Sequence, residues 1–256
     1  MSRPARRLGA GVAALLCAAL LAACGGTAND GTVVPPALRV GTATESGHPT
    51  TRPATGPGGL AVTAVGRDHG LLSVTVRNRG PREIVYARVR VTAVGRRGRT
   101  LLSTVGHRLS KATTIAGLPP GHDFGLVLTL PPGTRAVRSV RVAPVEETLA
   151  PWRGRHPVLR TGPAALTTDD GDAVVEARFT AAGPVTPYVS AQAFLVDPRH
   201  RLVAVVSGRF YCFADGTSRT LRLQLLHPVP AGTRVASVIG YPIPRRAPIP
   251  VPKACR

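Results

Sequence analysis

Aromatic residues, acidic residues and lysine are all scarce in this chain. One tryptophan, four tyrosines and five phenylalanines make up 4% of 256 residues, so any core must be filled mainly by aliphatic side chains. Only 13 Asp and Glu stand against 33 Lys and Arg, a formal +20, and lysine occurs only at Lys111 and Lys253. Four cysteines without a Cys-x-x-Cys pair offer no zinc ribbon and no thioredoxin-like redox motif. The main apolar run, Leu8 to Ala23, has 16 residues, short of the roughly 20 that a membrane-crossing helix needs. No Gly-x-Ser-x-Gly elbow and no Ser-x-x-Lys is present, so acyl-transfer hydrolysis has no signature. The seven histidines (48, 69, 107, 122, 156, 200 and 227) are scattered, mostly beside Gly, Pro or charged residues. No His-x-x-x-His or Glu-x-x-His spacing joins any two of them for a metal. Asp169-Asp-Gly-Asp172 has clustered carboxylates, but an EF-hand loop needs a longer regular series and a more distant glutamate; a turn that starts a strand accounts for it. These absences lead us to expect no catalytic residues, no metal site, no cofactor and no enzyme activity.

What is present begins with Arg3, Arg6 and Arg7 ahead of the apolar run, followed by Leu21-Ala22-Ala23-Cys24-Gly25-Gly26. Basic residues, a short apolar stretch and small residues at its end form an export signal. The last part resembles the bacterial lipoprotein signal, whose lipobox Leu-Ala-(Ala/Gly)-Cys is cut before a cysteine that receives a diacylglycerol. All four positions match, and the resemblance implies lipidation of Cys24. A plain secreted form is the rival, and general secretion fits better than the twin-arginine route, since Leu-Gly-Ala follows Arg6-Arg7. One acyl chain anchors only marginally, at about 0.8 kcal/mol per buried methylene, so stable attachment needs two or more. The expected place is the extracytoplasmic face of the cell membrane. With Cys17 lost in the signal, Cys212 and Cys255 remain, and outside the cytosol they form a candidate disulfide; two free thiols are the alternative.

Residues 24–55 are rich in Pro, Gly and Thr with almost no apolar periodicity, which predicts a flexible tether. Beyond them lies an internal repeat. Asp68-His-Gly70 recurs as Asp169-Asp-Gly171, Gly80-Pro81 as Gly183-Pro184 and Tyr86 as Tyr188. Gly98-Arg-Thr-Leu-Leu102 recurs as Arg199-His-Arg-Leu-Val203, and Pro131 to Val140 as Val229 to Val238. A period near 100 residues means two similar domains rather than solenoid units. Each copy alternates with period two: Leu72, Val74 and Val76 against Ser73, Thr75 and Arg77; Val85, Ala87, Val89, Val91 and Ala93 against Tyr86, Arg88, Arg90 and Thr92; then Phe124, Leu126 and Leu128. Such strands place one face in a core and the other in water. The fold expected is all-β: two tandem immunoglobulin-like antiparallel β-sandwiches, at 56–145 and 161–243, after the signal (1–23) and the tether. A linker (146–160) joins them and a Pro-rich tail (244–256) follows. Trp152, in the linker, is a candidate binding residue if exposed and a gap-filler if not.

Val74-Thr-Val-Arg-Asn-Arg-Gly80 and Leu118-Pro-Pro-Gly-His-Asp-Phe124 carry a second resemblance. They are similar to the Asn-x-Gly and Leu-x-Pro-Gly turns of the bacterial extracytoplasmic Ig-like modules of the FxLYD and CARDB type, over about residues 60 to 144. The second copy departs from that pattern at Ala181-Ala182-Gly183 and at Arg209 to Phe213. The resemblance implies a surface module that spaces, scaffolds or binds another protein without catalysis. The high arginine content adds an alternative, binding to anionic wall polymers or lipid headgroups, because basic surfaces attract polyanions. Nucleic acid is excluded as a partner by export and by the lack of any nucleic-acid-binding module.

Overall fold

A computed structural model describes residues 59–106, 112–134, 136–154, 158–182, 185, 188–211, 213, 216–244 and 247–248, all within one compact unit. Thirteen strands follow in chain order: β1 Leu60–Asp68, β2 Leu71–Asn78, β3 Arg82–Val94, β4 Thr100–Val105, β5 Thr114–Leu118, β6 Asp123–Thr129, β7 Ser139–Pro151, β8 Val158–Asp169, β9 Asp172–Ala182, β10 Tyr188–Val196, β11 Leu202–Tyr211, β12 Ser218–Gln224 and β13 Arg234–Pro242. Every pairing is antiparallel. The only helical element among the described residues is one 3-10 turn, Arg96–Gly98.

The duplication read from the sequence is a duplication of topology. In the first half one sheet has the order β1-β2-β6, and in the other β3 is flanked by β4 and β5 on one side and by β7. In the second half the orders are β8-β9-β12 and β11-β10-β13. Each half is thus the A-B-E and C′-C-F arrangement of an immunoglobulin-like sandwich, with no last strand beside β7 or β13 among the described residues. The long β11 takes the place of β4 and β5 together.

Matching turns explain the matching sequence. Asp68↔Leu71 and Asp169↔Asp172 close two-residue hairpins, with φ of 44° and 76° at His69 and Gly70 and of 49° and 85° at Asp170 and Gly171. Two successive positive φ values define the type I′ turn, whose twist suits a β-hairpin and whose second central position favours glycine. Asp169-Asp-Gly-Asp172 is therefore the expected turn, with Arg222 paired to Asp169 and Gln224 bonded to Asp172 at 2.9 Å. Thr134 and Thr233 bond back through their hydroxyls to Pro131 O and Pro230 O at 2.7 and 2.6 Å. Asn78, of the Asn-x-Gly motif, is fully buried. Its amide donates to Arg82 O (2.8 Å) and Leu118 O (3.1 Å), and its carbonyl accepts from Gly80 N–H (2.9 Å).

The core positions follow the expected alternation in β2, β6, β9 and β12: Leu72, Val74 and Val76, then Phe124, Leu126 and Leu128, Val175, Ala177 and Phe179, and Leu221 and Leu223 are all buried. In β3 the alternation breaks. Ile84 faces Leu149 and Tyr86 faces Thr148, so Val85 is an extra residue bulged out of the ladder. Ile84 takes the core side with Ala87, Val89, Val91 and Ala93, where Val85 was expected.

The larger departure concerns the polar faces. Ser73 and Thr75 were expected in water, yet both are buried. The outer face of β1-β2-β6 is covered by the outer face of β11-β10-β13, and all of Val189–Val196 in β10 is buried on both sides. The four sheets stack in sequence, with Phe194, Leu202, Val205, Ile239 and Tyr241 of the second half joined to the core of the first. Hydrogen bonds make this burial tolerable. The Gln192 carboxamide accepts from Gly125 N–H at 2.8 Å and donates to Gly125 O at 2.7 Å, acting as a one-residue strand on the edge of β6. Val205 N–H donates to Ser73 Oγ (2.9 Å) and the Tyr241 hydroxyl to Asp123 O (3.1 Å). Arg77 holds Asp123 in a bidentate pair at 2.9 and 2.6 Å. Burial, then the Asp123 charge, push the Tyr241 phenol above its ordinary range. Close approach needs missing side chains as well: a Cβ at Gly125 would lie 2.3 Å from Val205 Cγ1, and one at Gly66 2.6 Å from Val203 O.

The segment expected as a linker is shorter than 146–160. Glu146 to Pro151 continue β7 and pair with β3 from Arg88 to Arg82, beyond a register shift at Val145. Of the Pro-rich tail, Ala247 is buried against Tyr86 and Ala116 together with Ile243, so that part is docked rather than free.

Two predictions follow from the junction and its turns. Gln192→Ala strands a buried N–H and C=O of Gly125, and chemical denaturation should show a loss of about 1–3 kcal/mol in a single transition covering both halves. At the β10–β11 turn, Asp197 accepts from the N–H groups of Arg199 and Arg201 at 2.9 Å each and from the Arg201 guanidinium. Burial raises its carboxyl pKa, but these donors outweigh burial and hold it below the ordinary carboxylate value. A depressed carboxyl stabilises the fold above its unfolded pKa and loses that contribution as pH falls through the folded one. Asp197→Asn should therefore flatten the acid limb of a stability-versus-pH curve while altering its alkaline limb little.

Candidate functional site

Two places at the junction gather chemistry-bearing side chains. The first lies at the tip of the β1–β2 hairpin, whose Leu71 packs against the second half. Asp68 ends β1, and His69 occupies the first central position of the type I′ turn. His227 arrives from beyond β12, where its carbonyl accepts from Ala173 N–H at 3.1 Å beside the second hairpin. The imidazoles of His69 and His227 stack at 4.5 Å and 25°. Asp68 and His227 are each 12% exposed and His69 50%.

The bonding fixes which ring nitrogens carry protons. His227 Nδ1 lies 2.8 Å from Pro228 O, and His69 Nδ1 lies 3.0 Å from Asp68 Oδ1. A carbonyl and a carboxylate only accept, so both Nδ1 atoms are N–H donors in the neutral rings and both Nε2 atoms carry lone pairs. His227 Nε2 and Asp68 Oδ2 are buried with no hydrogen-bond partner; Oδ2 stands 3.6 Å from His227 Nδ1, beyond useful hydrogen-bond distance. Leaving such acceptors unmet costs about 1–3 kcal/mol each. One donor atom from each residue lies within 4.8 Å of the other two. No serine, threonine or cysteine is bonded to either histidine among the described residues.

The second place is a small groove lined by Thr114, Phe124, Ser190, Gln192, Ser207, Gly208 and Arg209. Burial pulls the Arg209 guanidinium below its usual pKa, an effect the phenols of Tyr188 and Tyr86 oppose. A partly desolvated arginine among hydroxyls suits an anionic group.

Cys24, Cys212 and Cys255 lie outside the described residues. Trp152 is half-buried just past the end of β7. The Asp68–His69–His227 group was missed, because His69 and His227 are far apart in the chain and no local spacing joins them. The one available signal was the histidine in a hairpin turn: its counterpart is Asp170, and both sit at positive φ, where asparagine, aspartate or glycine is the common choice.

No family model matches the sequence, and no curated protein is significantly similar to it. Among solved structures, the chain shows similarity to the C-terminal globular domain of an oligosaccharyltransferase from Pyrococcus abyssi. Identity is 12% and the TM-score 0.20, over 71% of this chain and 42% of that one. The chain thus aligns with less than half of that domain's length, and a likeness this weak carries no argument about function.

The proton assignment is directly testable. Long-range nitrogen–proton NMR correlation at a pH where the rings are neutral should find His227 and His69 as Nδ1–H tautomers, the minor form of a free histidine side chain. An Nε2–H signal at His227 would contradict the bond to Pro228.

Proposed function

We propose that this is an extracytoplasmic lipoprotein, held at the cell membrane through Cys24, that works as a non-enzymatic protein-binding or scaffolding module. The observation that carries this reading is the hydrogen-bonded junction between the halves. Gln192 on Gly125, Ser73 on Val205 and Tyr241 on Asp123 make one body of two sandwiches. A scaffold needs fixed faces, and this junction sets the outer faces of the two end sheets at a constant separation. Those faces carry Arg90 and Arg141 at one end and Arg178 and Arg222 at the other, all exposed. Exposed arginines form the charge-assisted contacts that orient protein partners more than they bind them tightly. Residues 24–55, as a tether, would hold the body clear of the headgroups.

The test has two arms. Cys24→Ser should move the protein from the membrane to the soluble fraction, and intact-mass measurement of the parent should show acylation; a variant still held at the membrane overturns the anchoring. Photo-crosslinking residues at Arg90 or Arg178 should yield a discrete higher-mass adduct in intact membranes. No adduct from either face overturns the partner-binding role.

A further inference from the structure

We infer that the β3–β4 turn and the strand ends beside it form a docking surface for a flexible linear polyanion of the phosphate-polymer class. Arg96, Arg97 and Arg99 lie in that turn and are exposed. Gly95 N–H closes the turn on Arg99 O at 2.8 Å, and Arg138 N–H on Val94 O at 2.7 Å brings a fourth exposed arginine to the same end of the sheet. Across the β3–β7 ladder Arg141 faces Thr92 and Arg90 faces Ala143, so these two exposed arginines are diagonal neighbours on the outer face, about 7–8 Å apart. None of the six is paired with a carboxylate among the described residues.

The sequence explains the lack of counter-charge: from Ile84 to Val145 the only acidic residue is Asp123, which is buried and held by Arg77. Arg88 meets Glu146 at 3.4 Å, and that pair bounds the patch. The outer face of β8-β9-β12 differs, since Arg222 there is paired with Asp169 and has Glu176 opposite it in the ladder. Arg97 adds an independent sign. Its φ of 59° and ψ of 22° are left-handed, where glycine, asparagine or aspartate is the usual choice, and no residue of Arg96–Gly98 is buried, so packing does not account for an arginine.

The form of the surface selects the partner. It bends from the strand face over the turn, so a planar lipid surface would meet only part of it, whereas a flexible chain can follow it. The exposed large apolar side chains among the described residues are Val145, beside Glu146, and Leu226, in the second half. A folded protein therefore finds in the patch none of the apolar anchors that dominate protein interfaces. An acidic peptide carries its carboxylates on mobile side chains that must be ordered on binding, while a phosphate in a polymer backbone meets the guanidinium fork directly. This inference goes beyond the protein-partner reading and does not depend on the lipid anchor.

The experiment titrates the full chain with fluorescently labelled inorganic polyphosphate and follows anisotropy at rising salt. Saturable binding is expected, with the logarithm of affinity falling linearly with the logarithm of salt concentration. Arg96→Gln, Arg97→Asn and Arg99→Gln combined should weaken binding about tenfold at about 0.15 M salt and reduce the slope by about two; asparagine is chosen at 97 because it tolerates positive φ. A charge-matched variant of the far face, Arg160→Gln, Arg178→Gln and Arg222→Gln combined, should bind within about threefold of the parent. All six replaced side chains are exposed, so both variants should keep the parent's thermal midpoint within about two degrees. Equal losses in the two variants overturn the patch and assign the binding to net charge. No saturable binding by the parent also overturns it, as does tighter binding to anionic phospholipid vesicles, which would assign the surface to a membrane, or to polyglutamate, which would assign it to an acidic protein segment.

Discussion

The polar face of one sheet is buried against a largely apolar face of another, and the arrangement of the whole chain depends on how that burial is made tolerable. Sheet β1-β2-β6 turns Ser73, Thr75, Asp123 and Gly125 toward β11-β10-β13. Such groups lose water at a cost of kilocalories each unless they find partners. Ser73, Asp123 and Gly125 find them in Val205 N–H, Arg77, Tyr241 and Gln192, whereas the Thr75 hydroxyl is buried without one. Geometry is as demanding as chemistry here: Gly66 and Gly125 let backbone and Val205 approach to distances that a methyl group would forbid. The duplicated sandwiches are therefore one stack of four sheets.

This stacking gives the two copies different tasks. Topologically they are equivalent, down to the hairpins at Gly70 and Gly171 and the threonine-closed turns at Thr134 and Thr233. Chemically they have diverged where they meet. The position after Asp68 is a histidine, whereas the position after Asp169 is an aspartate that faces no histidine. The first hairpin stacks His69 on the His227 ring, whereas the second meets His227 through the backbone, Ala173 N–H to His227 O. A repeated fold packed against itself in this way produces unlike surfaces from like units.

Much of the fold was legible in the sequence, and particular residues show why. Period-two alternation in β2, β6, β9 and β12 marks the core directly, since a strand can turn only alternate side chains to one side. Type I′ hairpins were legible from Asp-x-Gly, because two positive φ values nearly prescribe the residues. Val85 was misread because a bulge inserts one residue without leaving a mark in the hydrophobic pattern. Ser73 and Thr75 were misread because alternation reports polarity, and a polar face buried inside a protein has the same composition as a wet one.

The sequence by itself determined that the chain is all-β, that it is built twice from the same strand order, and where its turns fall, because these rest on local periodicity and backbone conformation. Only the tertiary structure decided that the copies share a buried junction and that Asp68 and His69 meet His227. Those outcomes depend on which faces pack and on hydrogen bonds between residues distant in the chain, and no local pattern of side chains encodes them.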